Sequence, residues 1–143
     1  MNREETILII DDNPAITRLL GSVLTQSGYR VVSSNDPLAG LGLVEQEHPD
    51  LVVMDLCMPG VDGWELCRRI RKGHRMPILV LTVLGEPADI ERTFLAGADA
   101  YMSKPFSIEG FLDRVRSLLR RGIRRLDSSG GSSPSKGQQV ESK

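Results

Sequence analysis

The sequence is short of cysteine, of net charge and of long apolar runs. Only two cysteines occur in 143 residues, Cys57 and Cys67. Their spacing matches no metal-ligand pattern, and two cysteines do not make a disulfide framework. A reduced, cytoplasmic compartment fits this usage. The formal net charge is -1, so no global field draws the chain to nucleic acid or to a membrane surface. No apolar run approaches the ~20 residues that cross a bilayer. The first residues are polar and acidic, unlike a secretion signal. No internal repeat is visible. No Gly-x-x-x-x-Gly-Lys loop is present, which excludes a Walker-type nucleotide site.

What is present is ordinary in amount. Hydrophobic residues make up 40% and charged residues 26%, values that suit one soluble globular domain. The pattern carries more. Five short apolar segments alternate with five helix-like ones. Ile7, Leu8, Ile9 and Ile10 are apolar on both faces, as a central parallel strand requires. Asp11, Asp12 and Asn13 follow, and Pro14 then starts a helix. Ile16, Leu19, Leu20, Val23 and Leu24 recur at helical spacing as far as Gly28. A second strand is predicted over 29–33. The helix opened by Asp36 and Pro37 is weakened by Gly40 and Gly42 and broken at His48-Pro49-Asp50.

Further strands are predicted over 51–55, 77–82 and 99–102, with helices over 64–72 and 86–96. Residues 57–63 read as a Pro- and Gly-rich loop. Ser107 caps a last helix with Ile108, Phe111, Leu112, Val115, Leu118 and Leu119 on one face. Regular alternation implies a parallel sheet covered on both faces, with right-handed crossovers. The expected fold is α/β: a flavodoxin-like doubly wound (βα)5 with a five-stranded parallel sheet, order 2-1-3-4-5. Residues 1–121 form the domain, with 14 basic and 17 acidic residues. The composition changes from about Gly122, and residues 127–143 are rich in Ser, Gly, Lys and Gln, so residues 122–143 read as a disordered tail or truncated linker.

Polar residues interrupt the apolar pattern at equivalent places. Asp11 and Asp12 follow strand one, Asp55 ends strand three, Thr82 ends strand four, and Lys104 follows strand five. In a doubly wound sheet these ends share one edge, where ligands bind. Three crowded carboxylates repel unless a proton or a divalent cation intervenes. Oxygen ligands select magnesium, manganese or calcium. A carboxylate beside such a metal can attack a phosphoryl group. A lysine and a hydroxyl would then stabilise its oxygens.

Each residue also has a plainer reading. Asp11 and Asp12 could cap the first helix. Thr82 is a common strand residue. A lysine such as Lys104 is usually solvated. Tyr101 could be a packed strand aromatic. Trp64, Cys67, His48 and His74 read as structural or surface residues. Arg68, Arg69, Arg71, Lys72 and Arg75 read as a solvated helix end. The basic run from Arg114 to Arg125 lacks aromatic interleaving, so nucleic-acid binding does not follow from it.

Taken together, four stretches resemble the receiver family of response regulators. They are Ile9-Ile10-Asp11-Asp12-Asn13-Pro14; Val53-Met54-Asp55-Leu56-Cys57-Met58-Pro59-Gly60 with Asp62-Gly63; Leu81-Thr82; and Gly97-Ala98-Asp99-Ala100-Tyr101-Met102-Ser103-Lys104-Pro105-Phe106. The resemblance implies a phospho-acceptor switch in two-component signalling, with Asp55 phosphorylated by a sensor histidine kinase or phosphotransfer protein. It implies Mg2+ held by Asp12, Asp55 and the Cys57 carbonyl, with Asp11 acting through water. Thr82 and Lys104 would contact the phosphoryl group. Tyr101 would turn inward on activation, and Pro105 would follow a cis peptide bond.

The surface of the fourth helix, fifth strand and fifth helix would signal to an unknown output partner or domain. A homodimer is left open. Ile90, Ala100 and Gly110 stand where a related subfamily places charged dimer residues. Val83 is larger than the family's usual residue after the threonine, and Cys57 and Leu84 occupy positions that tune dephosphorylation. Such a domain acts only on its own phosphoryl group and is not classed as an enzyme. Two alternatives stand beside it: a pseudo-receiver never phosphorylated, and the N-terminal part of a DNA-binding response regulator. A flavin-binding flavodoxin shares the fold, but Asp11 and Asp12 would repel its phosphate.

Overall fold

Apolar strands with no polar face must be covered on both sides, and that requirement organises the molecule. The computed structural model describes residues 4–127, with side chains as far as Gly122. In chain order the elements are β1 (Thr6–Ile10), α1 (Pro14–Gln26), β2 (Arg30–Ser34), α2 (Pro37–Glu47), β3 (Leu51–Met54), β4 (Cys57–Met58), β5 (Val61–Asp62), α3 (Gly63–Arg71), β6 (Ile78–Thr82), α4 (Pro87–Leu95), β7 (Ala100–Ser103) and α5 (Ile108–Asp127). The main sheet is parallel and runs β2-β1-β3-β6-β7. Leaving aside the small antiparallel pair β4-β5, this is the expected 2-1-3-4-5 order. The pair itself falls where an irregular loop was expected; two-residue strands are too short to show a period in sequence.

Burial follows position in the sheet. Every residue of β1, β3 and β6 is buried, while edge strand β2 has none that is fully so. Alternate residues point to opposite faces. Ile7 and Ile9 join Val53, Leu79 and Leu81 beneath Leu20 and Leu24 of α1 and Phe111, Val115 and Leu118 of α5. Leu8 and Ile10 join Val52, Met54 and Val80 beneath Val44 of α2 and Leu66, Cys67 and Ile70 of α3.

Helix starts follow their capping residues. Asn13 Oδ1 accepts from the Ala15 amide at 2.9 Å, and Asp36 Oδ2 accepts from Ala39 at 3.2 Å. Asp62 Oδ1 accepts from Trp64 and Glu65 at 3.0 and 3.3 Å. Ser107 Oγ accepts from Gly110 at 2.9 Å, as expected of the α5 cap.

Two glycines have steric reasons. A Cβ on Gly40 would lie 2.8 Å from the Ile10 side chain, so the residue that weakens α2 also lets it rest on β1. A Cβ on Gly63 would run into the Leu56 backbone, which α3 crosses closely beside Asp55. At the other end of the chain, α5 continues through Gly122 to Asp127. The change of composition at 122 therefore does not end the helix. One glycine costs about 1 kcal/mol in a helix, and the flanking arginines are good helix formers. Residues 128–143, most of the expected tail, lie outside the described residues.

Candidate functional site

The strand register brings the polar residues together. Ile10 pairs with Met54 across β1 and β3, so Asp11 and Asp55 emerge side by side. The Asp55 amide donates to the Ile10 carbonyl at 3.1 Å, extending the ladder one residue further. Thr82 pairs with Ser103 across β6 and β7, and the Lys104 amide donates to the Thr82 carbonyl at 2.8 Å. Lys104 is thereby carried to the same edge. The Lys104–Pro105 peptide is cis, as the family resemblance implied.

Carboxylate oxygens of Asp11, Asp12 and Asp55 all lie within 4.8 Å of one another. Asp11 is 3% exposed and Asp55 6%. The Lys104 ammonium lies 3.0 Å from Asp11 Oδ2 and 3.3 Å from Asp55 Oδ2. One lysine thus meets two of the three clustered carboxylates. Burial holds the Asp11 carboxyl above its ordinary value; the Asn13 amide and Lys104 pull it down, and the Asp55 charge pushes it up. For Lys104, burial acts to lower the value. Asp11 and Asp55 together outweigh it, and the ammonium is held more firmly than usual. The other Asp55 oxygen, Oδ1, accepts from the Leu56 and Cys57 amides at 2.6 and 3.1 Å.

Thr82 is fully buried. Its hydroxyl lies 3.7 Å from Cys57 Sγ, and it accepts from the Leu84 amide at 3.4 Å. The Tyr101 hydroxyl donates to the Leu84 carbonyl at 2.6 Å. Thr82 and Tyr101 therefore hold the two sides of the same residue, in the loop after β6. Tyr101 is half-buried and belongs to neither apolar core, which weakens its reading as a packing residue. Burial raises its hydroxyl pKa. Val83, between these contacts, is 64% exposed.

Other residues differ from their plainer readings. Arg71 is not a solvated helix-end cation. It donates to the carbonyls of Gly97, His74 and Met76 and to Asp99 Oδ2 at 2.6 Å. Ala100 is 1% exposed and lies in the core, not on a dimer surface. Cys67 is buried, which pushes its thiol pKa up to about 11. His48 is the left-handed cap of α2 at φ 48°, and His74 meets Glu45 at 2.8 Å. Trp64 Nε1 donates to Thr93 Oγ1 at 3.1 Å, with Arg92 stacked 3.9 Å over its ring.

The sequence reading missed Asn35, whose Nδ2 donates to the Asp11 carbonyl at 2.8 Å and to Thr17 Oγ1 at 3.1 Å. The available signal was topological: β2 lies beside β1, so the residue after β2 must face the Asp11 turn.

Known proteins carry the same pattern. The sequence profile of the response regulator receiver domain matches residues 7–116. The DNA-binding dual master transcriptional regulator RpaA of Synechocystis sp. is 47% identical over 118 residues, which cover 80% of this chain and 49% of that protein. The transcriptional regulatory protein AfsQ1 of Streptomyces coelicolor is 39% identical over 124 residues, covering 87% and 55%. Among solved structures, a CheY-like receiver domain protein from Methanospirillum hungatei superposes with a TM-score of 0.83 at 27% identity, covering 86% of this chain and 99% of that one. A two-component response regulator from Clostridium difficile gives 0.80 at 28% identity, covering 82% and 98%. The chain belongs to the receiver domain family of response regulators. It spans about half the length of the curated relatives it matches.

Proposed function

We propose that this receiver domain is a magnesium-dependent phospho-acceptor switch with Asp55 as the acceptor. The observation that carries this is the meeting of Asp11, Asp12 and Asp55 within 4.8 Å at one sheet edge, with Lys104 against two of them. The donor set fits Mg2+. It offers only oxygen, carries more negative charge than Lys104 neutralises, and is shallow enough at half-buried Asp12 to admit waters. Asp12 and Asp55 would hold the ion through their carboxylates, Cys57 through its carbonyl, and Asp11 through water. When bound, Mg2+ neutralises charge on the transferred oxygens.

The Asp55 carboxylate attacks the phosphorus of a phosphohistidine on a sensor kinase or phosphotransfer protein. A P–O bond to Asp55 forms as the donor P–N bond breaks, and the leaving imidazole takes up a proton. Lys104 keeps its charge near the new phosphoryl oxygens, and the Thr82 hydroxyl donates to one of them. Water attack on phosphorus later breaks the P–O bond and releases inorganic phosphate. Only the domain's own phosphoryl group turns over. When Thr82 moves toward that group, the Leu84 amide it holds moves too, and with it the Tyr101 hydroxyl bond. The surface of α4, β7 and α5 shifts between two states. The name of RpaA, a DNA-binding transcriptional regulator of which this chain covers 49%, supports an output on transcription; nucleic-acid binding is assigned in this reading to a region other than this domain.

Intact mass spectrometry after incubation with Mg2+ and acetyl phosphate tests this. The wild type is expected to gain one phosphoryl mass, which does not form when a chelator is present or in Asp55→Asn. An adduct on Asp55→Asn would assign another acceptor. No adduct on folded wild type, even with a phosphorylated kinase, would favour a pseudo-receiver.

A further inference from the structure

The turn from β1 to α1 carries Asp11 and Asp12, and repulsion between like charges acts to open it. Asn35, in the link between β2 and α2, reaches across this turn. Its Nδ2 bonds to the Asp11 carbonyl and Thr17 Oγ1 are 2.8 and 3.1 Å long. Thr17 is 7% exposed, and its hydroxyl donates to the Pro14 carbonyl at 3.1 Å. One amide group therefore ties the start of the turn to the first turn of α1.

The Asp11 carbonyl belongs to the peptide plane that joins Asp11 to Asp12. Fixing that plane limits ψ of Asp11 and φ of Asp12, and so the directions in which both side chains leave the backbone. The Asp11 carboxylate has further anchors in the Asn13 amide and Lys104. Among the described residues, no hydrogen bond or ion pair holds the Asp12 carboxylate, so its backbone sets its aim. The β2–α2 link does not need Asn35 for its own closure. Ser34 Oγ donates to the Asp36 carbonyl at 2.8 Å and accepts from the Asp36 amide at 3.1 Å. Asn35 is exposed, so truncating it opens no buried cavity.

We propose that Asn35, working with Thr17, is a positioning residue for the divalent cation: it braces the Asp11–Asp12 peptide so that both carboxylates face the position shared with Asp55. The proposal rests on the acidic cluster being a Mg2+ site. Outer partners of metal ligands typically change affinity about tenfold or more when removed.

Calorimetric titration of the full chain with MgCl2 tests it, on wild type, Asn35→Ala, Asn35→Gln, Ser34→Ala and Asp12→Asn. Thermal unfolding in a chelator runs alongside. Asn35→Ala is expected to bind Mg2+ roughly tenfold more weakly, while its metal-free Tm stays within about 2 °C of wild type. Asn35→Gln, which keeps the amide donor, recovers part of the affinity. Ser34→Ala, which removes a hydroxyl bonded only to Asp36 within the same link and keeps the backbone carbonyl that accepts from the Asp11 amide, binds as wild type does. Wild-type affinity in Asn35→Ala, or equal weakening in Ser34→Ala, overturns the brace alone. Absence of Mg2+ binding in the wild type, or undiminished binding in Asp12→Asn, overturns the metal site and the brace with it.

Discussion

The two ends of the parallel sheet handle acidic side chains in opposite ways. At the N-terminal end, Asp50 Oδ2 accepts from the Thr6 amide at 2.8 Å, and Asp99 Oδ2 accepts from the Ile78 amide at 2.9 Å and from Arg71. Arg30 reaches Glu47 at 2.9 Å. Charges there meet partners of opposite sign or backbone donors, and each contact ties one element to another. At the C-terminal end, three carboxylates face one another with a single lysine among them. The first end is arranged to hold the fold. The second keeps more negative charge than its lysine offsets, which is why the proposed ligand chemistry is placed there.

Breaking the first end has the largest expected effect. Arg71→Ala leaves Asp99 and three carbonyls without their guanidinium, at a cost of about 3 kcal/mol. Urea unfolding measures it, and a loss under about 1 kcal/mol would place Arg71 back among the solvated cations. Phosphorylation of Asp55 is expected to survive this substitution, because Arg71 lies at the opposite edge.

The second end should respond with the opposite sign. Asp11→Asn removes charge from a site where burial already disfavours it, so the metal-free protein is expected to gain roughly 1 kcal/mol at pH 7. The direction follows from linkage. Asp11 has a folded pKa above its ordinary 3.8. Above that raised value it is ionised in both states, and burial makes the ionised form costly to the fold. As pH falls through the folded value, protonation removes that cost. The gap between variant and wild type is therefore largest near neutrality and closes toward pH 4. A variant less stable at pH 7 in chelator would mean that the Lys104 pair outweighs burial.

Smaller effects sharpen the picture at the site's rim. Val83→Ala, at an exposed position in the loop that Thr82 and Tyr101 hold, is expected to change the lifetime of the phosphoryl group. An unchanged decay, followed by mass spectrometry, would remove Val83 from the pocket. The smallest effect is expected from deleting residues 128–143. We propose that this stretch lies outside the receiver domain, and its loss should leave Tm within about 1 °C. A larger drop would mean that it packs on the domain.

Much of this comparison was legible in sequence, unevenly so. The C-terminal end could be read because its residues interrupt apolar runs: Asp11 after Ile10, Asp55 after Met54, Thr82 closing an otherwise aliphatic strand. A polar residue at a strand end is visible without knowing what it touches. The N-terminal end could not be read that way. Arg71 sits in a run of basic residues and looks solvated, while its acceptors lie near residues 74–76 and 97–99. Asn35 was missed for a similar reason. Its partners are a backbone carbonyl and a threonine hydroxyl, neither of which leaves a pattern in sequence. The family resemblance supplied roles for Tyr101 and the cis Pro105 that the bare spacing did not contain.

By itself the sequence determined the α/β class, the strand order and the set of polar residues that gather at one end of the sheet. Alternation of apolar strands with amphipathic helices admits few packings, and handedness removes most of those. Only the tertiary structure decided which polar groups are matched and which are left in tension. A hydrogen bond depends on distances of a few tenths of an ångström between residues far apart in the chain, and on carbonyls that every residue carries. Sequence places such groups on an edge; packing decides whether they meet.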